Sequence, residues 1–429
     1  MSDHPGERRR RSVFGRGARL ARGAGAVAAP VMSAALHRVG RRASELPETV
    51  RRRRNGATTA PRGWVLRGRV WTGDVAEPFD GAVVVDDSGR VVRCAPNGQI
   101  DWPPDLPTIG GTGWWVGPGV VDAHVHLQFA DPSALLAAGL VAVRDLGGPP
   151  TSARQWRTGH RTPRAGRPFI AVSGPILTAT GGYPTRSWGP AVGAFVDSPA
   201  AARSSVLALA ADGVDVIKVA LEPGPGWPVP SPSTVRAVVH TAHRAGLAVC
   251  AHALTAQMVR RAVDAGVDEL AHIPTDRLDD DLVERIAEAG VAVVSTLQTF
   301  FADGLGRAVA ANAGALVAAG VELRYGTDLG NTGTQPGVDP RELDRLADAG
   351  LGRLGALRAA TLSSARAPGI RGRSGLIRLG QPAALVVLPA DPTLEPGAWR
   401  TPTAVIADNR LVRPGGARAG SAPPDTLAG

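Results

Sequence analysis

The spacing of hydrophobic positions along this chain changes three times. From Gly63 to about Gly119, short apolar runs are broken by Gly, Asp and Pro, as in GWVLRGRVWTG, GAVVVDDSGRVVRCAP and DLPTIGGTGWWVGPG. Runs of that length with that punctuation predict the strands of a small antiparallel sheet. From Val120 to about Ala367, continuous apolar runs of strand length recur: VVDAHVHL, LVAVRDLG, PFIAVSGPIL, VDVIKVAL, LAVCAHAL, DELAHIP, VAVVSTL and VELRYGTDL. Helical periods separate several of them, among them SPSTVRAVVHTAHRAG, TAQMVRRAVDAG, LDDDLVERIAEAG and GLGRAVAANAGALVAAG. Each ends in Gly, the residue favoured just past a helix. Strands apolar on both faces that alternate with helices imply parallel βαβ units. Eight such units in roughly 250 residues suit a closed (β/α)8 TIM barrel. After Ala367, GLIRLGQPAALVVLPADP and TPTAVIADNRLVRP are strand-like again and are expected to return to the first sheet.

The expected organisation is therefore α/β. A tail covers 1–62. A composite β-sandwich domain is built from 63–119 and 368–415, around a (β/α)8 barrel over 120–367. A polar, disordered end follows from 416 to 429. With 44% hydrophobic and 20% charged residues the chain fits the ordinary globular class.

Charge changes the picture only at the N-terminus. Residues 1–62 hold 15 Arg against Asp3, Glu7, Glu45 and Glu48, while the remainder holds 33 basic against 34 acidic side chains. The formal charge of +10 thus belongs to the tail, either a solvated extension or a surface that touches nucleic acid or anionic membrane. No specific nucleic-acid partner is expected. The segment RRSVF faintly resembles a twin-arginine export signal, but the apolar run that follows, AGAVAAPVMSAAL, is small-residue and weak. No stretch of ~20 apolar residues exists, so no membrane span is expected. Two cysteines, Cys94 and Cys250, supply no disulfide framework and suit a reducing cytoplasm.

Candidate chemistry starts from Lys218. It is the one lysine among 48 basic residues, and it lies inside the apolar run VDVIKVAL. Arg, with a pKa above ~12, cannot shed its proton and act as a nucleophilic amine. A lysine desolvated in a strand readily can. A neutral amine can form a Schiff base, act as a base, or capture carbon dioxide as a carbamate. A genome bias towards Arg explains the scarcity of lysine but not this survivor.

Of the nine histidines, four fall near the ends of expected strands. His124 and His126 sit two apart in VVDAHVH, which puts both imidazoles on one face of a strand. His252 lies in AVCAHA and His272 in DELAHIP, and Asp328 ends the last strand in YGTDLG. With Lys218, six polar residues recur at the end of the barrel where active sites lie. Burying them together is costly unless divalent cations compensate them.

The ordered pattern HxH, Lys, His, His, Asp strongly resembles the amidohydrolase superfamily. GPGVVDAHVHL at the start and GLIRLGQPAALVVLPADP at the end are similar to it as well. VAVRDLGG, VIKVAL, GTDLG and ELDRLADAGLGRLGALRAATLSSA look like the imidazolonepropionase-related branch, which includes metal-dependent Xaa-Pro and Xaa-Arg dipeptidases (prolidases). The resemblance covers roughly 64–415. It implies that His124, His126 and Asp328 hold one metal, that His252 and His272 hold a second, and that Lys218, as a carbamate derived from carbon dioxide, bridges them. It further implies two divalent ions, zinc by the His-rich shell, and hydrolysis of a carbon–nitrogen bond through a metal-bridging hydroxide, with Asp328 as general acid and base. Esters, lactones or phosphoesters on the same site are the alternative, and a binder acting through the basic tail is another. A small-molecule substrate is expected, and a homo-oligomer is left open.

The chain departs from the branch in two places. Many relatives carry GGH in the loop after strand three, where TGGYPTRSWG here places Tyr183, able to donate a hydrogen bond to a developing oxyanion. Arg186 in that loop could pair with a substrate carboxylate. Ala384 in QPAALVVL replaces a usual acidic residue, which is expected to matter little for catalysis.

Overall fold

The computed structural model describes residues 63–413, apart from 161–165, 225, 332 and 371–374. The basic tail, its twin-arginine-like segment and the polar end from 416 lie outside the described residues. Among those described, no helix is long and apolar enough to cross a membrane.

Four strands come from the first apolar runs: β1 (Trp64–Val70), β2 (Phe79–Val85), β3 (Val91–Pro96) and β4 (Thr108–Pro118). Eight strand positions follow, built by β5 (Val120–Val125), β6 (Leu140–Asp145), β7 (Phe169–Val172) with β8 (Ile176–Thr178), β10 (Ile217–Leu221), β11 (Val249–Ala253), β12 (Glu269–Leu270), β13 (Ala292–Val294) and β14 (Leu323–Arg324). A short β9 (Gly193–Phe195) flanks β8. The chain then adds β15 (Leu385–Leu388), β16 (Ala404–Ala407) and β17 (Arg410–Val412).

The two chain ends share one sheet, in the order β17-β16-β15-β4-β1-β2-β3. Its pairs are antiparallel except β1 with β4, which run parallel. Trp64, Leu66, Val85, Val116, Leu385 and Ile406 belong to one apolar cluster, so strands from both ends bury the same core. Backbone bonds from Gly380 N–H to the Val91 carbonyl (2.7 Å) and from Val91 N–H to the Gln381 carbonyl (2.9 Å) bring β3 onto the segment before β15. The expected sandwich is thus one seven-stranded sheet that curls around its own core, an extra β domain built from both chain ends.

The second architecture is TIM-barrel-like, with every neighbouring pair parallel. Strands β5, β6, β10 and β11 are buried along their whole length. One face of β10 (Ile217, Val219, Leu221) joins the apolar cluster that includes Val235 and Val238 of the helix Pro232–Arg244. That leaves Lys218 and Ala220 on the inner face, in register with Cys250 and His252 of β11.

The ladder expected to close without a break is interrupted at two seams. β5–β6–β7 form one sheet, and β14-β13-β12-β11-β10-β8-β9 form another. At the first seam PFIAVSGPIL, expected as one strand, is split into β7 and β8. Pro175 has no N–H to give a ladder, and Gly174 sits at φ +67°. At the second, β14 is short, and single backbone bonds span the gap: Ala123 N–H to Tyr325 O (3.0 Å), Asp328 N–H to His124 O (2.9 Å) and His126 N–H to Leu329 O (2.8 Å). These bonds lock the end of β5 against the turn that carries Asp328.

Candidate functional site

Period two does at β5 what the sequence predicts. Asp122, His124 and His126 share a face, and all three are buried. Asp122 works as a clamp. One of its oxygens accepts from His124 N–H (3.0 Å) and Thr327 N–H (3.1 Å), and the other accepts from the Thr327 hydroxyl (2.5 Å). Burial raises its carboxyl to about 7 against these bonds. The clamp fixes Thr327 beside Asp328, which occupies the left-handed region at φ 56°, a conformation Asp tolerates better than most.

His124, His126 and Asp328 each present one ligand atom, and those atoms lie within 4.8 Å of one another. Asp328 Oδ1 is 3.3 Å from His124 Nε2 and 3.1 Å from His126 Nε2. The two Nε2 atoms are 3.2 Å apart. Asp328 Oδ1 is nonetheless buried without a hydrogen-bond partner among the described residues. The far side of each ring explains why. His124 Nδ1 faces the Ala271 carbonyl at 3.0 Å and His126 Nδ1 faces the Gly147 carbonyl at 3.4 Å. A carbonyl can only accept, so in the neutral rings Nδ1 holds the proton and Nε2 points a lone pair inward. Burial, then the charge of Lys218, hold His124 well below the ordinary imidazole value. Burial raises the Asp328 carboxyl, while His124, His126 and His272 lower it, and the net direction is well below the ordinary carboxylate value.

The other two imidazoles continue the ring. His272 lies 4.8 Å, centroid to centroid, from His124 and 4.8 Å from His252. The sequence places His272 within a strand; the structure ends β12 at Leu270 and puts His272 just beyond it. Each again has an outer partner, here from side chains: the Thr296 hydroxyl at 2.8 Å from His272 Nδ1, and Glu222 Oε2 at 3.3 Å from His252 Nε2. Thr296 is a β-branched residue at φ 45°, a strained position.

Lys218 is 2% exposed, and its Nζ has no hydrogen-bond partner among the described residues. Burial lowers its pKa, while Cys250 and Asp328 oppose the shift. In register with it lie Cys250 and then Glu269, on the next two strands. Glu269 accepts from Arg144 and, at 2.5 Å, from Arg324. Arg144 Nε also donates to the Ala123 carbonyl (2.9 Å). A buried, paired ion cluster therefore underlies Lys218. Burial pushes against the Glu269 carboxylate, and the two guanidiniums win.

Tyr183 stands against His252, with ring centroids 4.7 Å apart, and burial raises its phenol well above the ordinary value. Its phenol therefore stays protonated and can donate a hydrogen bond. Arg186 is exposed, and its Nε donates to the Gly181 carbonyl (2.6 Å), so its resting partner is its own loop. Sequence reasoning missed Asp122, Glu222, Thr296, Glu269 and Arg144. Glu222, four residues after Lys218 at a strand's end, carried the one readable signal.

Comparisons with known proteins give the chain its relatives. The model of the Amidohydrolase family matches residues 115–413. An uncharacterized protein of Mycobacterium tuberculosis is 26% identical over 395 residues, covering 83% of this chain and 93% of its own. Among solved structures, a protein of Bifidobacterium longum assigned as a prolidase is 28% identical with a TM-score of 0.72, over 84% of this chain and 97% of its own. A prolidase complexed with N-methylphosphonate-L-proline is 26% identical with a TM-score of 0.68, over 82% and 99%. Divalent metals generally serve catalysis in this family, and the buried His-His-Asp group is the feature here that could hold one. The match spans the barrel and the β15–β17 part of the chain-end sheet, and on it the chain belongs to the amidohydrolase family, as a hydrolase of carbon–nitrogen bonds.

Proposed function

We propose a metal-dependent amidohydrolase that cuts a small amide, cyclic amide or dipeptide. In this reading His124, His126 and Asp328 hold one divalent cation, His252 and His272 hold a second, and Lys218, carboxylated on Nζ, bridges the two. The supporting observation is Asp328 Oδ1, a buried carboxylate oxygen that faces two imidazole Nε2 atoms and has no hydrogen bond. Three electron-pair donors meeting without a proton between them repel, and a cation removes the penalty. The nitrogen-rich shell favours zinc.

Held by these residues, divalent ions would supply Lewis acidity, lowering the pKa of water towards neutrality and polarising a carbonyl. The chain's own groups supply the rest. Asp328 accepts the proton of the attacking water and returns it to the leaving nitrogen. Tyr183, protonated and beside His252, would donate to the carbonyl oxygen as charge develops on it. The likeness to prolidases supports an Xaa-Pro dipeptide as one candidate substrate.

Elemental analysis of protein purified without chelator is expected to find about two divalent ions per chain. The same preparation is expected to hydrolyse some member of a panel of N-acyl amino acids, Xaa-Pro and Xaa-Arg dipeptides and hydantoins, with lactones as the contrasting class. Full activity in metal-free protein contradicts the proposal.

The outer partners give a second test. Main-chain carbonyls hold His124 and His126, but side chains hold His252 and His272. Glu222→Leu and Thr296→Val are therefore expected to weaken the second ion by roughly 10–100-fold while the first stays bound. Glu222→Gln, which keeps an acceptor, is expected to have a smaller effect. Competition against a chelating dye reads both affinities, and two unchanged ions in both variants count against the assignment of His252 and His272.

A further inference from the structure

This chain is poor in aromatic residues, with nine Trp, seven Phe and two Tyr in 429. Several of them gather at the site. Trp188 packs edge-on against His126 (4.7 Å) and Phe129 (5.4 Å). Tyr183 lies 6.2 Å from Trp188 and stacks on Trp227 at 5.9 Å and 18°. Phe300 meets His272 edge-on at 5.6 Å. Three of the four site imidazoles thus touch an aromatic ring that comes from a loop or a short helix after a strand. Trp188, Tyr183, Trp227 and Phe129 are each only half-buried, so their faces are not used up by the protein core. Rings left part-open beside reacting groups are the usual lining of a site for an apolar ligand.

A cage of rings also suits a cation, and charge decides between the two. The carboxylate next to the Tyr183 and Trp227 rings is Glu222, through His252, and both its oxygens are engaged: Oε1 accepts from Gly224 N–H (2.8 Å) and Oε2 faces His252 Nε2 (3.3 Å). Glu222 is thus committed to the protein and offers no free counter-charge.

The geometry points to a substrate that carries a flat, uncharged aromatic group next to its scissile carbon–nitrogen bond, held among Trp188, Tyr183 and Trp227. This rests on the hydrolase reading above and narrows its substrate class.

Two matched pairs test it: N-benzoyl against N-acetyl derivatives of one amino acid, and an anilide against an alkylamide of one acid. In at least one pair the aryl member is expected to show a kcat/KM about 10–100-fold higher, as burial of a ring supplies. Trp188→Ala and Trp227→Ala are expected to shrink that ratio, and Trp188→Phe to keep most of it. Calorimetry with 2-naphthoate and cyclohexanecarboxylate separates the two readings. Tighter naphthoate binding, weakened by Trp188→Ala, supports the aromatic subsite even where no panel member is hydrolysed. Equal affinity for the two acids, or an aryl preference untouched in both alanine variants, overturns it and leaves the hydrolase reading standing.

Discussion

Lys218→Arg is expected to cost about 10³-fold or more in kcat/KM, because on the proposed reading a metal bridge at Lys218 would supply several kcal/mol of transition-state stabilisation. The argument starts from the position. Lys218 lies on the inner face of β10, buried, above a cluster whose charges already pair with one another. Its Nζ has no partner among the described residues, and burial favours the neutral amine. A neutral amine nitrogen can bond the carbon of carbon dioxide and release a proton, giving a carbamate whose two oxygens would be available to divalent cations. A guanidinium keeps its proton and cannot react this way. Two companion variants separate chemistry from folding. Lys218→Met replaces the amine by an apolar chain of similar length, so its denaturation midpoint without metal is expected to stay near that of the metal-free parent, while activity with metal is lost. Lys218→Ala leaves a cavity that short-chain carboxylic acids can enter with two oxygens of their own, so added formate or propionate is expected to restore part of the rate. Undiminished activity in Lys218→Arg removes the carbamate from the mechanism.

What was legible in the sequence follows from what spacing encodes. HxH at period two, a lysine inside an apolar strand, and His252 two residues beyond Cys250 are local facts, and the fold brings them together as the strand pattern implies. The partners that hold these groups were not legible, because each is a long-range contact. Thr296 and His272 are 24 residues apart, and Arg144 and Glu269 are 125 apart. Nothing in VAVVSTL shows that its Thr296 takes a left-handed conformation. Its role comes from the His272 ring lying against it. The Gly-Pro in PFIAVSGPIL did announce a break, yet the apolar run around it reads as one strand, and the structure splits it. Trp188 and Trp227 sit in Pro- and Gly-rich loops whose sequence gives no direction for a ring. Sequence pattern thus pointed to candidate groups that the fold gathers, while the partners that surround them needed the tertiary fold.

Asp328→Asn is expected to lower kcat by roughly 10²–10⁴-fold, the range for removing a general acid–base group. The substitution is close to isosteric and suits the backbone, since Asn also adopts the left-handed conformation that Asp328 holds at φ 56°. It keeps one carbonyl-type oxygen to offer a cation. Metal content is therefore expected to stay near that of the parent, and lost proton transfer becomes the main defect. An amide cannot take a proton from water near neutral pH or hand one to the departing nitrogen. That predicts a dependence on the leaving group. An alkylamine must be protonated as it departs, whereas the anion of p-nitroaniline is far more stable and needs less help. The deficit of Asp328→Asn is thus expected to be largest for alkylamides and clearly smaller for p-nitroanilides of the same acid. An equal loss across both leaving groups, with metal content unchanged, confines Asp328 to holding a cation and assigns proton delivery to another group.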